Sequence, residues 1–96
     1  MAAYVVFIRV ETSNQAELDA YASMAPAAAD GHRVSFLSLY GKQEVLEGQP
    51  MEGAAILRFP TFEEAKKWYV SPAYQKAAAH RHMGAKYRVF ILEGSD

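Results

Sequence analysis

Hydrophobic positions along this 96-residue chain fall into two periodicities, and their order predicts the fold. Tyr4-Val5-Val6-Phe7-Ile8-Arg9-Val10 is β-branched and aromatic almost without a break, which predicts a strand covered on both faces. Leu18, Tyr21, Ala22 and Ala25 recur at the spacing of one helix face; Thr12, Ser13 and Asn14 all offer an N-cap at its start, and Asn14 with Glu17 has the spacing of a capping box, with Asn in place of Ser or Thr. Pro26 has no N–H and its ring collides with the preceding turn. The helix should therefore kink or break after Met24, leaving Ala27 to Ala29 as a separate piece before Asp30-Gly31. Residues 33–40 alternate as a second strand, Gly41-Lys42 marks a turn, and Glu44 to Gly48 either extends the hairpin or crosses the sheet edge. Gly53 to Phe59 is the third strand, stopped by Pro60. Thr61-Phe62-Glu63-Glu64 is a Thr-x-x-Glu capping box that opens a helix with Phe62, Ala65, Trp68 and Tyr69 on its apolar stripe. Ser71-Pro72 restarts a helix, Tyr74, Ala77, Ala78 and Arg81 share its face, and Gly84 closes it. Lys86 to Glu93 is the last strand.

The order βαββαβ predicts an α+β, ferredoxin-like sandwich: one domain over residues 1–96, with both helical layers on one face of a four-stranded sheet. The other face should then read polar at alternate positions, and it does not. Arginine interrupts one face of the first, third and fourth strands. Assigning the Arg-bearing faces outward leaves Val5, Phe7, Ile56, Phe90 and Leu92 together on the open side, with Arg9, Arg58 and Arg88 near the rim in ion pairs. Burying five such side chains is worth on the order of 8–15 kcal/mol before entropy costs. A patch of that size calls for a cover. The expected cover is a second copy stacked open face to open face, a dimeric α+β barrel. The competing arrangement folds a loop such as residues 41–53 over the sheet.

Composition narrows the function classes. Ten Lys and Arg against eleven Asp and Glu give a formal net charge of −1, which offers no electrostatic reason for a nucleic-acid or anionic-membrane partner. The absence of cysteine excludes disulfides, thiolate nucleophiles and Cys-based metal sites. No apolar run reaches the roughly 20 residues of a membrane helix, and the N-terminus does not read as a signal peptide, so the expected location is the cytoplasm. Gly-x-Gly-x-x-Gly and Gly-x-x-x-x-Gly-Lys are absent, and no Ser–His–acid set is readable from spacing, so no cofactor is expected. Phe7 and Phe90, each near an Arg, weakly mimic an RNA-binding sheet, but the charge and the third strand argue against it.

Several segments together resemble the domain-of-unknown-function 1330 family: Val45-Leu46-Glu47-Gly48, Arg58-Phe59-Pro60, Trp68-Tyr69-x-Ser71-Pro72-x-Tyr74-Gln75, Arg81, and a closing strand ending Leu92-Glu93-Gly94. Tyr21 and the Ala-Pro-Ala at 25–27 fit the same pattern. The resemblance implies a dimer of ferredoxin-like units packed sheet to sheet, and it implies no particular reaction. The chain departs from the family at Gly31-His32-Arg33 and at Ser38-Leu39-Tyr40-Gly41-Lys42, where a Gly-Gly pair and a basic residue with glycines are usual.

The candidate chemistry rests on few residues. His80 and His82 point about 200° apart on a helix and cannot chelate one metal, so no metal site is expected. Arg81 falls on an inward face, where a guanidinium must meet an acid such as Glu47 or Glu93, backbone carbonyls, or an anionic ligand. Tyr21, Trp68, Tyr69 and Tyr74 are candidates to line a ligand site between helices and sheet, although aromatic stripes also simply fill cores. His32, at the mouth of the second strand, is the candidate for moving a proton. Two functions follow. One is a binder or cofactor-free isomerase, cyclase or oxygenase acting on a small carboxylate-bearing or phenolic metabolite. The other is a non-catalytic dimeric module, which predicts a filled core without a cavity of about 300 Å³ and an Arg81 fully paired by protein groups.

Overall fold

The computed structural model describes residues 1–95, in the order β1 (Ala3–Thr12), α1 (Gln15–Ala28), β2 (Ser35–Leu39), β3 (Gly53–Phe59), α2 (Phe62–Val70), α3 (Pro72–Gly84) and β4 (Ala85–Glu93). The strands form one antiparallel sheet in the order β2-β3-β1-β4, with the helices on one face: a ferredoxin-like α+β fold. Each helix starts where a side chain can satisfy its free N–H groups. Asn14 accepts from Glu17 N–H at 3.4 Å, Thr61 from Glu64 N–H at 3.1 Å, and Ser71 from Tyr74 N–H at 3.3 Å.

Three expectations are corrected. Pro26 does not break the first helix; α1 runs through it to Ala28. The proline stands in the last turn, where the hydrogen bond it forfeits is one of few remaining. The ends of the second strand retreat to Ser35–Leu39.

The third correction concerns the faces of β1. Val5 pairs with Leu57 and Ile91, and Phe7 with Ala55 and Val89, so Val5 and Phe7 lie under the helices and are fully buried. Tyr4, Val6 and Ile8 take the open side instead. There Val6 stands between Ile56 and Phe90, and Tyr4 between Arg58 and Leu92. Register decides the face, because slipping by one residue would turn every β1 side chain over. Arg9 misleads as a marker: it sits near the end of the strand, where its guanidinium escapes over the Tyr40 ring at 4.7 Å and pairs with Glu52 at 3.1 Å. The open side remains apolar at its centre. Residues 41–50 are exposed throughout, Leu46 at 84%, so this loop does not lie over the sheet.

Two local features shape the helix side. A bulge between Phe36 and Ser38 on β2 lets Phe36 oppose Leu57 and Leu39 oppose Ala55, which puts two residues three apart on one face. Gly84 packs against α1 at backbone distance. A Cβ there would meet Leu18 Cδ2 at 2.8 Å and Leu18 N at 3.0 Å, while Ser13 N–H and Asn14 N–H donate to its carbonyl at 2.8 and 3.0 Å.

Candidate functional site

An apolar pocket of about 370 Å³ lies between α1 and the β2–β3 half of the sheet. Tyr21, Ala22, Ala25 and Pro26 of α1, with its C-cap Ala29, form one wall. Alanine and proline there keep the helix far enough from bulk to leave space. Phe7, Ala55 and Leu57 form the floor, Trp68 of α2 closes one side, and Phe36, Leu39 and Tyr40 line the β2 edge. Phe36 and Leu39 are half exposed, which marks the open mouth.

Arg81 lies one ring behind this pocket. It is 2% exposed, and its guanidinium sits 5.5 Å from the Phe7 ring centre, 5.9 Å from Tyr21 and 5.0 Å from Tyr87. Among the described residues it forms no ion pair with an acid, and its Nε and Nη2 find no acceptor. The expected pairing with Glu47 or Glu93 is therefore absent: Glu47 is exposed in the 41–52 loop, and Glu93 ends β4 opposite Ala3. Burial opposes the Arg81 charge, but the neighbouring Tyr74 and Tyr21 oxygens outweigh it and hold the pKa above its ordinary value. The guanidinium stays charged. Among the described residues Trp68 Nε1 is a third buried nitrogen donor without an acceptor.

Around this charge stand two hydroxyl pairs. Tyr21 and Tyr74 hydroxyls are 2.9 Å apart, and those of Tyr40 and Tyr87 are 2.8 Å apart. Burial pushes the Tyr21 and Tyr40 hydroxyls far above the ordinary phenol range, each reinforced by its partner tyrosine, and burial also raises Tyr74. All three are neutral donors at physiological pH. Tyr40 holds a left-handed backbone, φ 55°, which a large aromatic residue adopts only at a cost. Its N–H bonds to Ala54 O at 2.9 Å, and its ring packs against Gly53, where a Cβ would approach to 3.1 Å.

Of the residues singled out from sequence, Tyr21 and Trp68 line the pocket, with Tyr74 and Arg81 directly behind. Tyr69 stacks on Tyr74 at 5.3 Å and backs the cluster without reaching the pocket. His32 lies elsewhere, in a shallow polar depression with Arg33, Glu64 and Lys67. His80 bonds through Nδ1 to Glu17 at 2.7 Å, tying α3 to α1. Among the described residues no group of three or more His, Asp or Glu could hold a metal ion. Tyr40 and Tyr87 escaped the sequence reading. Their one signal was position, Tyr40 just past the end of β2 and Tyr87 near the start of β4, and only the sheet brings them together.

No functionally curated protein matches this sequence. Solved structures do match in shape. A protein of unknown function from Rhodopseudomonas palustris is similar with TM-score 0.77 and 13% identity, over 99% of this chain and 83% of that one. A dimeric protein of unknown function with a ferredoxin-like fold from Bacteroides fragilis aligns with TM-score 0.62 and 13% identity, covering 97% of this chain and 96% of its own. SnoaB, a cofactor-independent oxygenase from Streptomyces nogalater, aligns with TM-score 0.63 and 9% identity, covering 99% and 94%. At such identities these likenesses carry the fold alone. A family model matches residues 2–95, and the chain belongs to the family it describes, the domain of unknown function DUF1330.

Proposed function

We propose that this protein is a cytoplasmic homodimer that binds a small, largely apolar metabolite bearing a carboxylate or phenolic oxygen, one in the α1–sheet pocket of each subunit. The observation that carries the reading is the buried, charged and acid-free Arg81 next to an apolar pocket of about 370 Å³. A filled core with Arg81 paired by protein groups would have favoured the non-catalytic module. The volume suits a ligand of one or two rings. Tyr21 and Trp68 touch it, Arg81 and Tyr74 act from behind, and Tyr69 keeps their rings in place. His32, outside the pocket, takes no part.

The reaction class in this reading is cofactor-free isomerisation, cyclisation or oxygenation, supported by the fold shared with a cofactor-independent oxygenase. One observation favours binding without turnover: among the described residues the ionisable side chains lining the pocket are Tyr21 and Tyr40, and burial raises the pKa of both, which disfavours a phenolate base. The homodimer is supported by the apolar centre of the open face and by the dimeric state of similar structures.

Trp68 is the single tryptophan and lines the pocket, so its fluorescence reports occupancy. Aromatic carboxylates and phenols titrated into the protein should change that emission saturably. Ala25→Trp/Trp68→Phe would plug the pocket, and calorimetry should then detect no binding. Equal binding by the plugged variant would refute the location.

A further inference from the structure

We infer that residues 43–48 form an arm that reaches across the dimer. It seats Leu46 on the open sheet face of the second copy and pairs Glu44 and Glu47 with the partner's Arg88. This rests on the homodimer proposed above and adds a contact, its residues and the direction of the two-fold axis.

The arm has no seat on its own subunit. The chain leaves the sheet after Tyr40 and returns at Gly53. Both roots are fixed: Tyr40 N–H donates to Ala54 O at 2.9 Å, and Glu52 N–H to Arg9 O at 2.8 Å. Between them, among the described residues, no backbone hydrogen bond holds residues 41–51. Gln43 Nε2 donates to Met51 O at 3.3 Å across the neck. Loops of this length without structure of their own are typically functional. The tip, Glu44-Val45-Leu46-Glu47, joins two carboxylates to two apolar side chains, all exposed. Among the described residues neither Glu44 nor Glu47 forms an ion pair.

The open face offers the converse. Arg58 stands on it opposite Tyr4, and Arg88 opposite Ile8. Both are exposed, and among the described residues neither is in an ion pair. Lys86, further along β4, already faces Glu11. Stacking two such faces takes arginine out of water beside apolar neighbours, which is costly unless an acid meets it.

Register then decides which arginine the arm meets. Two open faces stack about a two-fold axis lying between the sheets. An axis along the strands sets β2 over the partner's β4 and keeps corresponding strand ends together. The arm springs from the end where Gly53 faces Arg9, and Arg88 faces Ile8 one residue along β1. Arm and Arg88 therefore share one end of the sheet but lie at its opposite edges, about 14 Å apart at the usual strand spacing. The axis along the strands closes that gap and lays each arm on the partner's Arg88. An axis across the strands would bring the arm to the partner's Arg58 instead. The neighbours favour the first: Arg58 lies between Tyr4 and Ser35, whereas Arg88 adjoins Ile8, and Leu46 requires an apolar seat.

Sedimentation equilibrium of the full chain reads the dimer Kd. Glu44→Arg/Glu47→Arg and Arg88→Glu should each raise it at least tenfold in dilute buffer, since the two-fold repeats every change. Both effects should shrink in roughly 0.5 M NaCl, where exposed charges are screened. Combining the three substitutions exchanges the charges and should recover most of the loss. Leu46→Ser should weaken the dimer at both salt concentrations. Circular dichroism should show every variant folded, because all four positions are exposed in the subunit. Arm variants that dimerise like wild type would overturn the inference and leave the homodimer standing. So would rescue of the arm variant by Arg58→Glu in place of Arg88→Glu. A wild-type chain that sediments as a monomer would overturn the homodimer as well.

Discussion

Gly84→Ala tests whether α1 is held against α3 at backbone distance. In an open helix this change favours folding by about 1 kcal/mol, because alanine loses less backbone freedom. At the last residue of α3 the gain is smaller, and sterics oppose it. The new methyl would stand 2.8 Å from Leu18 Cδ2, 2.9 Å from Cγ and 3.0 Å from the Leu18 backbone nitrogen. The leucine side chain can rotate away; the nitrogen cannot. Moving it means lengthening the Ser13 and Asn14 N–H bonds to Gly84 O, now 2.8 and 3.0 Å. Overpacking of this kind costs about 1–3 kcal/mol, so the net expectation is a loss of about 1–2 kcal/mol. For a domain of this size that is a drop in Tm of roughly 4–16 °C, read by circular dichroism at one fixed protein concentration. In a Leu18→Ala background the penalty should shrink, since two of the three close atoms are removed. A Gly84→Ala protein as stable as wild type would show that α1 has room to move.

Ile56→Glu should split the proposed dimer, because Ile56 adjoins Val6 at the centre of the open face; a species that still sediments as a dimer would remove that interface. Arg81→Met should change stability by no more than about 2 kcal/mol, as no protein carboxylate is left alone in the core. A loss of about 3–5 kcal/mol in urea unfolding would instead mean that Arg81 is a structural partner. The Glu52 carboxylate is held below its ordinary pKa by hydrogen bonds from Thr12 and by Arg9. A depressed folded-state pKa gives stability that is present above the unfolded pKa and is lost as pH falls through the folded one. Wild type should therefore lose more of its urea midpoint than Glu52→Gln between neutral pH and the acid range; parallel loss would refute the tie.

Much of this molecule is legible in one dimension because caps, periodicity and strand composition are local properties. Thr61 and Ser71 start the helices they were expected to start, Asn14 is the one of three offered caps that starts the first, and the third strand keeps its expected ends. An inward Arg81 with aromatic neighbours also follows from helical spacing. Strand faces do not follow, since both faces of β1 are apolar and only its register with β3 and β4 breaks the tie. The bulge that aims Phe36 and Leu39 into one pocket is equally invisible along the chain. So is the meeting of Tyr40 with Tyr87, 47 residues apart. Local sequence determined which elements form, because their free energies are summed over near neighbours. The tertiary structure alone decided which side chains share a cavity, because that depends on long-range registers no short segment encodes.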